Sequence, residues 1–136
     1  MANQKIDAIE GIGPVYAKRL NDVGIADTDT LLERCGAAKG RKETAEQADI
    51  EGKLLLKWVN MADLFRISGI GPQFAELLEA SGVDTVKELG TRNAANLAQK
   101  LAEVNEQKHL TRSVPSAAVV EKWVKEAETL PPAVSH

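Results

Sequence analysis

A chain of 136 residues is long enough for one domain with a buried core, or for two very small units that share one. Hydrophobic residues make up 43% of the chain and charged residues 27%, which excludes a wholly disordered protein. Only five residues are aromatic, and a shortage of strand-favouring side chains indicates a helical protein. The net charge of −3 excludes a strongly basic nucleic-acid coat protein, although a local basic face is compatible with it.

The single cysteine, Cys35, excludes an internal disulfide and a metal site built on paired cysteines. A lone cysteine is typical of a protein from a reducing compartment. No apolar stretch approaches the length of a membrane span, and the first residues lack the apolar core of a secretory signal. We therefore expect a cytoplasmic protein with no membrane contact and no bound metal.

The chain contains an internal duplication at a spacing of 58 residues. Segments 9–32 and 67–90 agree at nine of 24 positions, including a Gly-Ile-Gly-Pro run at 11–14 and 69–72. A later match, Lys-Trp-Val at 57–59 and 122–124, has a spacing of 65, so we place extra residues of the second copy around 105–109. The duplication predicts two halves, residues 1–60 and 61–130, followed by a frayed tail, residues 131–136.

Each copy has the signature of a tight turn followed by a helix. The glycines allow positive φ and close backbone approach, and Pro14 or Pro72 suits the first turn of a helix. Apolar residues recur on one face of that helix, and Gly24 or Gly82 is placed to end it. A second helix then begins near residue 27 in the first copy, and at a capping box on Thr85 in the second. Neither copy shows the alternating pattern of a strand.

The remaining segments also predict helices, at residues 53–65, 94–102 and 117–130. Trp58 and Trp123 lie in apolar stretches, which favours burial in the core over a platform for stacking bases. The expected fold class is therefore all-α, with two pseudo-symmetric halves packed as one compact helical domain.

The order of a helix, a Gly-apolar-Gly turn and a second helix resembles the helix-hairpin-helix motif, over about 24 residues in each copy. The resemblance implies that the turn amides and the start of the second helix face a nucleic-acid phosphate, where the helix dipole favours an anion. Such contacts hold the backbone without reading the base sequence. The resemblance also implies that some hairpins hold a monovalent cation between turn carbonyls and phosphate.

Nearly the whole chain, from the first Gly-Ile-Gly-Pro through Leu-Leu-Leu-Lys-Trp-Val to the final Glu-Lys-Trp-Val, resembles the domain-of-unknown-function family numbered 4332. This is a bacterial group of duplicated helix-hairpin-helix proteins. The resemblance implies the fold, and it implies no particular activity or partner.

The first hairpin is the better candidate for binding nucleic acid. Lys18 and Arg19 follow its turn, and a basic stretch that we interpret as a mobile loop, or else a solvated loop or helix start, lies beyond it. Residues 61–90 of the second copy carry two basic and five acidic groups, and such an acidic rim repels phosphate. The predicted nucleic-acid contacts are Gly11, Ile12, Gly13, Lys18, Arg19, Lys39, Arg41, Lys42, Gly69, Ile70 and Gly71.

These features predict a non-catalytic adaptor that binds DNA backbone weakly and without sequence preference. We expect no catalytic residue, no small-molecule substrate and no cofactor beyond a monovalent cation at a hairpin, because no phosphate loop and no nucleophile–base set is present. Asp84 is too close to Gly71 for a glycosylase aspartate, and a capping role suffices for it. The alternatives are a protein-interaction scaffold with degenerate hairpins and an accessory domain of an enzyme on another chain.

Overall fold

The computed structural model describes residues 3–136, and every regular element in that range is helical. The predicted all-α class is therefore confirmed. A single 3₁₀ turn, Ile6–Ala8, precedes eight α-helices: α1 (Pro14–Asp22), α2 (Thr28–Cys35), α3 (Ala38–Ala48), α4 (Gly52–Leu64), α5 (Pro72–Ala80), α6 (Val86–Leu89), α7 (Ala94–Lys108) and α8 (Ala117–Thr129).

The helices pack in a pattern that recurs along the chain. Helices α2 and α3 pack on α4, and α1 packs on α3. In the same way α6 and α7 pack on α8, and α5 packs on α7. The packing of α4 on α5 joins the two sets, and buried apolar side chains from both form one core cluster. The predicted boundary between residues 60 and 61 falls inside α4, so one continuous helix crosses it.

The two sets differ in their third helices and in the connection that follows each of them. Helix α3 has 11 residues and α7 has 15, and the connection to the next helix spans residues 49–51 in one case and 109–116 in the other. The extra residues of the second copy therefore extend α7 and lengthen its exit loop. Asp49 and His109 end these helices in the same left-handed conformation, with φ of 55° and 52°.

Side chains cap several of the helices. Asp27 accepts from the Thr30 amide at 2.8 Å and begins α2, and Thr85 accepts from the Glu88 amide at 3.2 Å and begins α6. The predicted capping box forms only in part, because the Glu88 carboxylate binds Arg92 at 3.0 Å. Thr85 is the cap of α6, so the capping role suggested for Asp84 is wrong.

The tail, residues 131–136, is docked against the helices, so the expectation that it is frayed is wrong. The Ser135 amide donates to the Gly36 carbonyl at 2.9 Å, and Arg41 Nη2 donates to the Ser135 carbonyl at 2.6 Å. Arg66 Nη2 holds the Pro131 carbonyl at 2.6 Å. Backbone groups of the tail therefore have partners far away in the sequence, which stabilises an extended segment without a helix.

Glycine substitutions within the first half test this packing. A Cβ at Gly40 would clash with the Arg34 carbonyl, whereas a Cβ at Gly52 meets nothing within 4 Å. Gly40→Ala should therefore lower the free energy of unfolding by about 2 kcal/mol despite the better helix propensity of alanine. Gly52→Ala should raise it by about 0.5 kcal/mol. Urea unfolding followed by circular dichroism measures both, and equal effects would contradict the close approach of α3 to α2.

Arg41 tests the docking of the tail. Its guanidinium donates to the Cys35 carbonyl at 3.1 Å and the Gly36 carbonyl at 2.7 Å, besides Ser135. Arg41→Ala should lower the free energy of unfolding by about 1–3 kcal/mol, because buried carbonyls lose charged donors. The Ser135 amide should also exchange faster with solvent, which NMR measures. Arg112→Ala, at an exposed position, is the matched control and should leave both quantities unchanged.

Candidate nucleic-acid interface

The two glycine turns share the same backbone geometry. Gly11 has φ of 95° and Gly69 has φ of 88°, in the left-handed region that favours glycine. A Cβ at Gly11 would lie 3.4 Å from Nε1 of Trp58, and a Cβ at Gly69 would lie 3.4 Å from Nε1 of Trp123. Both glycines are therefore required by conformation, and in each turn the indole approaches the glycine to the same distance.

Each turn is supported on its buried side by a contact between two aromatic rings. Trp58 packs on Tyr16 with ring centroids 5.0 Å apart, and Trp123 packs on Phe74 at 5.4 Å. Both tryptophans are buried, as their apolar surroundings in the sequence predict. Their role is to position the turn and the helix that follows it, because a buried indole presents no face to a base.

The helices after the turns begin without a side-chain cap. Gly13 and Gly71 stand at the N-cap positions of α1 and α5, and each is followed by a proline, which has no N–H. Within the described residues, the amides of Gly13, Val15 and Tyr16 have no hydrogen-bond partner. An uncapped helix start offers such donors to an anion. Val15 beside them is 63% exposed, so the first turn is open to a large ligand.

The isoleucines of the turns are core anchors. Ile12 and Ile70 are buried, and their amides donate to the Ile9 and Ile67 carbonyls at 3.1 and 3.2 Å. Neither residue therefore presents a side chain or a free amide to a ligand. Of the predicted turn contacts, the glycines remain on the surface.

Two cations accompany the first turn. Lys18 is 77% exposed and pairs with Asp22 at 2.9 Å. Arg19 donates to the Asp49 carbonyl at 2.8 Å and stands over the Tyr16 ring, 5.4 Å from its centroid. Because an exposed ion pair contributes little, Lys18 is available to a phosphate, whereas Arg19 is held in place by the protein.

The basic stretch after the first hairpin is the start of a helix, α3, so of the two interpretations the helix start is confirmed and the mobile loop is wrong. Arg41 is only 9% exposed and holds three internal carbonyls, which removes it from the surface that the sequence predicted. Lys39 and Lys42 are exposed. Arg19 reaches the far end of α3, and at 1.5 Å per residue Lys39 lies about 15 Å away along the helix. The basic residues therefore do not form one continuous face.

The second turn lies next to the first and is surrounded by carboxylates. Glu10, from the first turn, lines the same groove as Gly69 and Gly71. Glu126, from α8, accepts from the Ser68 amide at 3.2 and 3.3 Å. A phosphate at this turn would meet two carboxylates, which opposes binding. The sequence did not predict either contact. Glu126 corresponds to Met61 at the 65-residue spacing. Extending the Lys-Trp-Val match by two positions would therefore have shown the additional carboxylate of the second copy.

Glu76 adds a third carboxylate to this region. Burial raises its pKa, and the neighbouring charges of Glu10 and Glu79 raise it further, while Lys57 and Lys108 oppose the shift. Lys57 also pairs with Glu79 at a distance of 3.9 Å. The surroundings of Glu76 therefore disfavour its negative charge.

A second repeated contact involves arginines that sequence analysis did not match. Arg34 donates to the Val23 carbonyl just after α1, and Arg92 Nη2 donates to the Gly82 carbonyl just after α5, at 3.0 Å. The two arginines are 58 residues apart, so continuing the alignment by two positions would have found them. They satisfy carbonyls at the helix ends and are thus structural.

The first turn presents unpaired backbone amides and an exposed lysine, Lys18, that is paired with Asp22. Cys35 is buried, which raises the pKa of its thiol despite a hydrogen bond from Thr44 and the nearby Arg41 and Arg34.

Among residues 3–136, no group of three histidine, cysteine, aspartate or glutamate side chains is placed to hold a metal ion.

None of the described helices combines the length and the apolar character needed to cross a membrane.

The class defined by these features is a small all-helical protein with two similar glycine turns, each held by a buried tryptophan. The chain belongs to the family described as a domain of unknown function (DUF4332), whose model matches residues 10–130. That range contains both turns and all eight α-helices. No curated protein and no solved structure matches the chain.

The raised pKa of Glu76 predicts how stability depends on pH. A carboxyl whose pKa is higher in the folded state makes folding less favourable as pH rises from its ordinary pKa through the raised one. Glu76→Gln removes this penalty and should raise Tm by about 1–2 °C at about pH 7, with no gain at about pH 4. Differential scanning calorimetry at both pH values measures the effect.

Glu121→Gln is the matched control, because Glu121 has a lysine partner, Lys125 at 3.1 Å, and does not contribute to the raised pKa of Glu76. It should leave Tm at neutral pH unchanged or slightly lower. A gain as large as that of Glu76→Gln would show that any loss of negative charge stabilises the protein.

Proposed function

We propose that the protein is a non-catalytic adaptor that binds nucleic-acid backbone, without sequence preference, through the first glycine turn. The observation that carries the proposal is the open start of α1, where three amides lack an internal partner beside the exposed Lys18. Amides at a helix start and a lysine are typical ligands of a phosphate oxygen. Exposed glycine and proline at the turn let a phosphate approach the backbone closely.

In this proposal both turns belong to helix-hairpin-helix motifs, which differ in the element that precedes the turn. The helix that leads into the second turn is α4, whereas the 3₁₀ turn at residues 6–8 takes that place before the first. The left-handed first glycine, the proline at the helix start and the supporting tryptophan occur in both. These shared features support a common origin of the two turns.

The proposed interface is confined to Gly11, Gly13, Lys18 and the amides after Gly13, with Arg19 ordering the helix behind them. The carboxylates around Gly69 and Gly71 make the second turn a poor phosphate site. One turn neutralises one or two phosphates, so log Kd should change with log salt concentration with a slope of about 1–2. Weak, salt-sensitive binding is therefore the expected behaviour.

The other parts of the proposal rest on composition and chemistry. A bacterial cytoplasmic location agrees with the buried, protonated thiol of Cys35, which forms no disulfide. We propose no catalytic residue and no cofactor, apart from a monovalent cation shared between turn carbonyls and a bound phosphate.

Fluorescence anisotropy with labelled DNA tests the proposal, using duplex, single-stranded and branched DNA and duplex RNA at about 50 and 200 mM salt. Lys18→Glu should weaken binding about tenfold, because it replaces a phosphate ligand with a repelling charge. Asp22→Asn should strengthen binding, because it releases Lys18 from its ion pair. Glu76→Lys should also strengthen it by reducing the acidity near the turns.

Lys125→Glu is the matched control, because Lys125 has a similar exposure, 72% against 77% for Lys18, and also pairs with a carboxylate one turn away, Glu121 at 3.1 Å, but lies on α8. Its effect on affinity should be small. Equal losses in Lys18→Glu and Lys125→Glu would show that only net charge matters, and would refute the assignment to the first turn. Absence of binding at low salt would refute the function itself.

A further inference from the structure

A groove runs along the second turn, and its walls are mainly apolar. Its volume is about 450 Å³, and we call it the second-turn groove, defined by Glu10, Gly69, Gly71, Pro72, Gln73 and Phe74. Phe74 is half-buried and rests on the buried Trp123, so the apolar wall of the groove is firmly supported. The glycines leave backbone accessible at its edge.

The rim of this groove is acidic. Glu10 forms part of its lining, and Glu76 lies close enough for the two carboxylates to repel each other. Glu79 adds to the repulsion on Glu76. Lys57 pairs with Glu79 and also attracts Glu76, so one lysine is shared between these two glutamates. A cationic group placed in the groove would relieve this repulsion, so the charge favours a basic ligand.

In the first turn, an arginine of the chain itself stacks on the aromatic ring that corresponds to Phe74. There Arg19 stands over Tyr16, with its guanidinium carbon 5.4 Å from the ring centroid. At the 58-residue spacing Phe74 corresponds to Tyr16, and Leu77 corresponds to Arg19. Leu77 is fully buried, and residues 3–136 place no cation over the Phe74 ring. The second turn thus keeps the aromatic ring, whereas the position that corresponds to Arg19 is filled by the buried Leu77, so an external cation would reach Phe74 from the groove.

We propose that the second-turn groove docks a segment of a partner protein in which an arginine stands next to an apolar side chain. The guanidinium stacks on Phe74 and binds the carboxylates of Glu10 and Glu76, as planar arginine does better than lysine. The apolar neighbour packs against Pro72. Nucleic acid is a poor occupant, because its phosphates would meet the same carboxylates. This inference does not depend on phosphate binding at the first turn.

Binding of synthetic peptides tests the docking site. The probes are fluorescein-labelled Ala-Arg-Leu-Arg-Ala, Ala-Lys-Leu-Lys-Ala and Ala-Glu-Leu-Glu-Ala, measured by anisotropy with the full chain at low salt. The arginine peptide should bind more tightly than the lysine peptide, and the glutamate peptide should not bind. The double variant Glu10→Gln, Glu76→Gln should weaken binding of the arginine peptide about three- to tenfold. Glu43→Gln, at an exposed position of α3, is the matched control and should have no effect.

Changes in amide chemical shifts in NMR spectra locate the bound peptide. The same spectra also show whether each variant is folded. The arginine peptide should shift the amides of Gly69, Ile70, Gly71, Gln73 and Phe74 and leave those of Gly13, Val15 and Tyr16 unchanged. Equal binding of the arginine and glutamate peptides, no effect of the double variant, or shifts outside the groove would overturn the proposal. Shifts of the same second-turn amides by duplex DNA instead of the peptide would make the groove a second nucleic-acid contact and would also overturn the proposal.

Discussion

The structure depends on the contact between a buried tryptophan and a left-handed glycine. Trp58 reaches from α4 beneath Gly11, and Trp123 reaches from α8 beneath Gly69, and each indole nitrogen would lie only 3.4 Å from a Cβ on that glycine. The last helix of each set is thereby locked to the turn at its beginning. Because the turn sets the direction of the next helix, this contact also fixes where the free amides at that helix start point. The direction in which the first turn presents its unpaired amides is thus a consequence of core packing.

The two turns have the same backbone geometry but differ in the side chains that would decide which ligand each one prefers. At the 58-residue spacing Lys18 corresponds to Glu76 and Arg19 to Leu77, while the glycines and the proline are unchanged. The backbone donors are therefore offered twice, whereas the first of these two positions is basic in one turn and acidic in the other. Charge at a few positions decides whether such donors meet an anion, because a helix start alone is a weak site that nearby carboxylates outweigh. Fold likeness between the turns therefore does not imply a shared ligand.

Local patterns allowed the turns and most helices to be predicted, and long-range contacts account for the errors. Gly-Ile-Gly-Pro specifies its own conformation, so α1 and α5 begin at the expected prolines. Helix α7 runs to Lys108, beyond the predicted residue 102, because glutamate, glutamine and lysine are good helix formers. The role of Arg41 depends on Ser135, 94 residues away, and no local pattern indicates that contact. The nearness of Glu10 to Gly69 likewise depends on how the helices pack.

The position of Glu10 couples the two proposed surfaces. It belongs to the first turn in sequence and lines the groove of the second, so its charge acts on ligands at both. A cationic segment in the groove neutralises this carboxylate, and the repulsion that Glu10 exerts on a phosphate at the first turn then falls. Linkage requires the converse: a phosphate bound at the first turn strengthens the attraction of the groove for a cation by the same factor. Two adjacent turns that carry a lysine and a glutamate at matching positions are therefore suited to holding a nucleic acid and a basic protein segment together, and Glu10 is the residue through which each ligand affects the other.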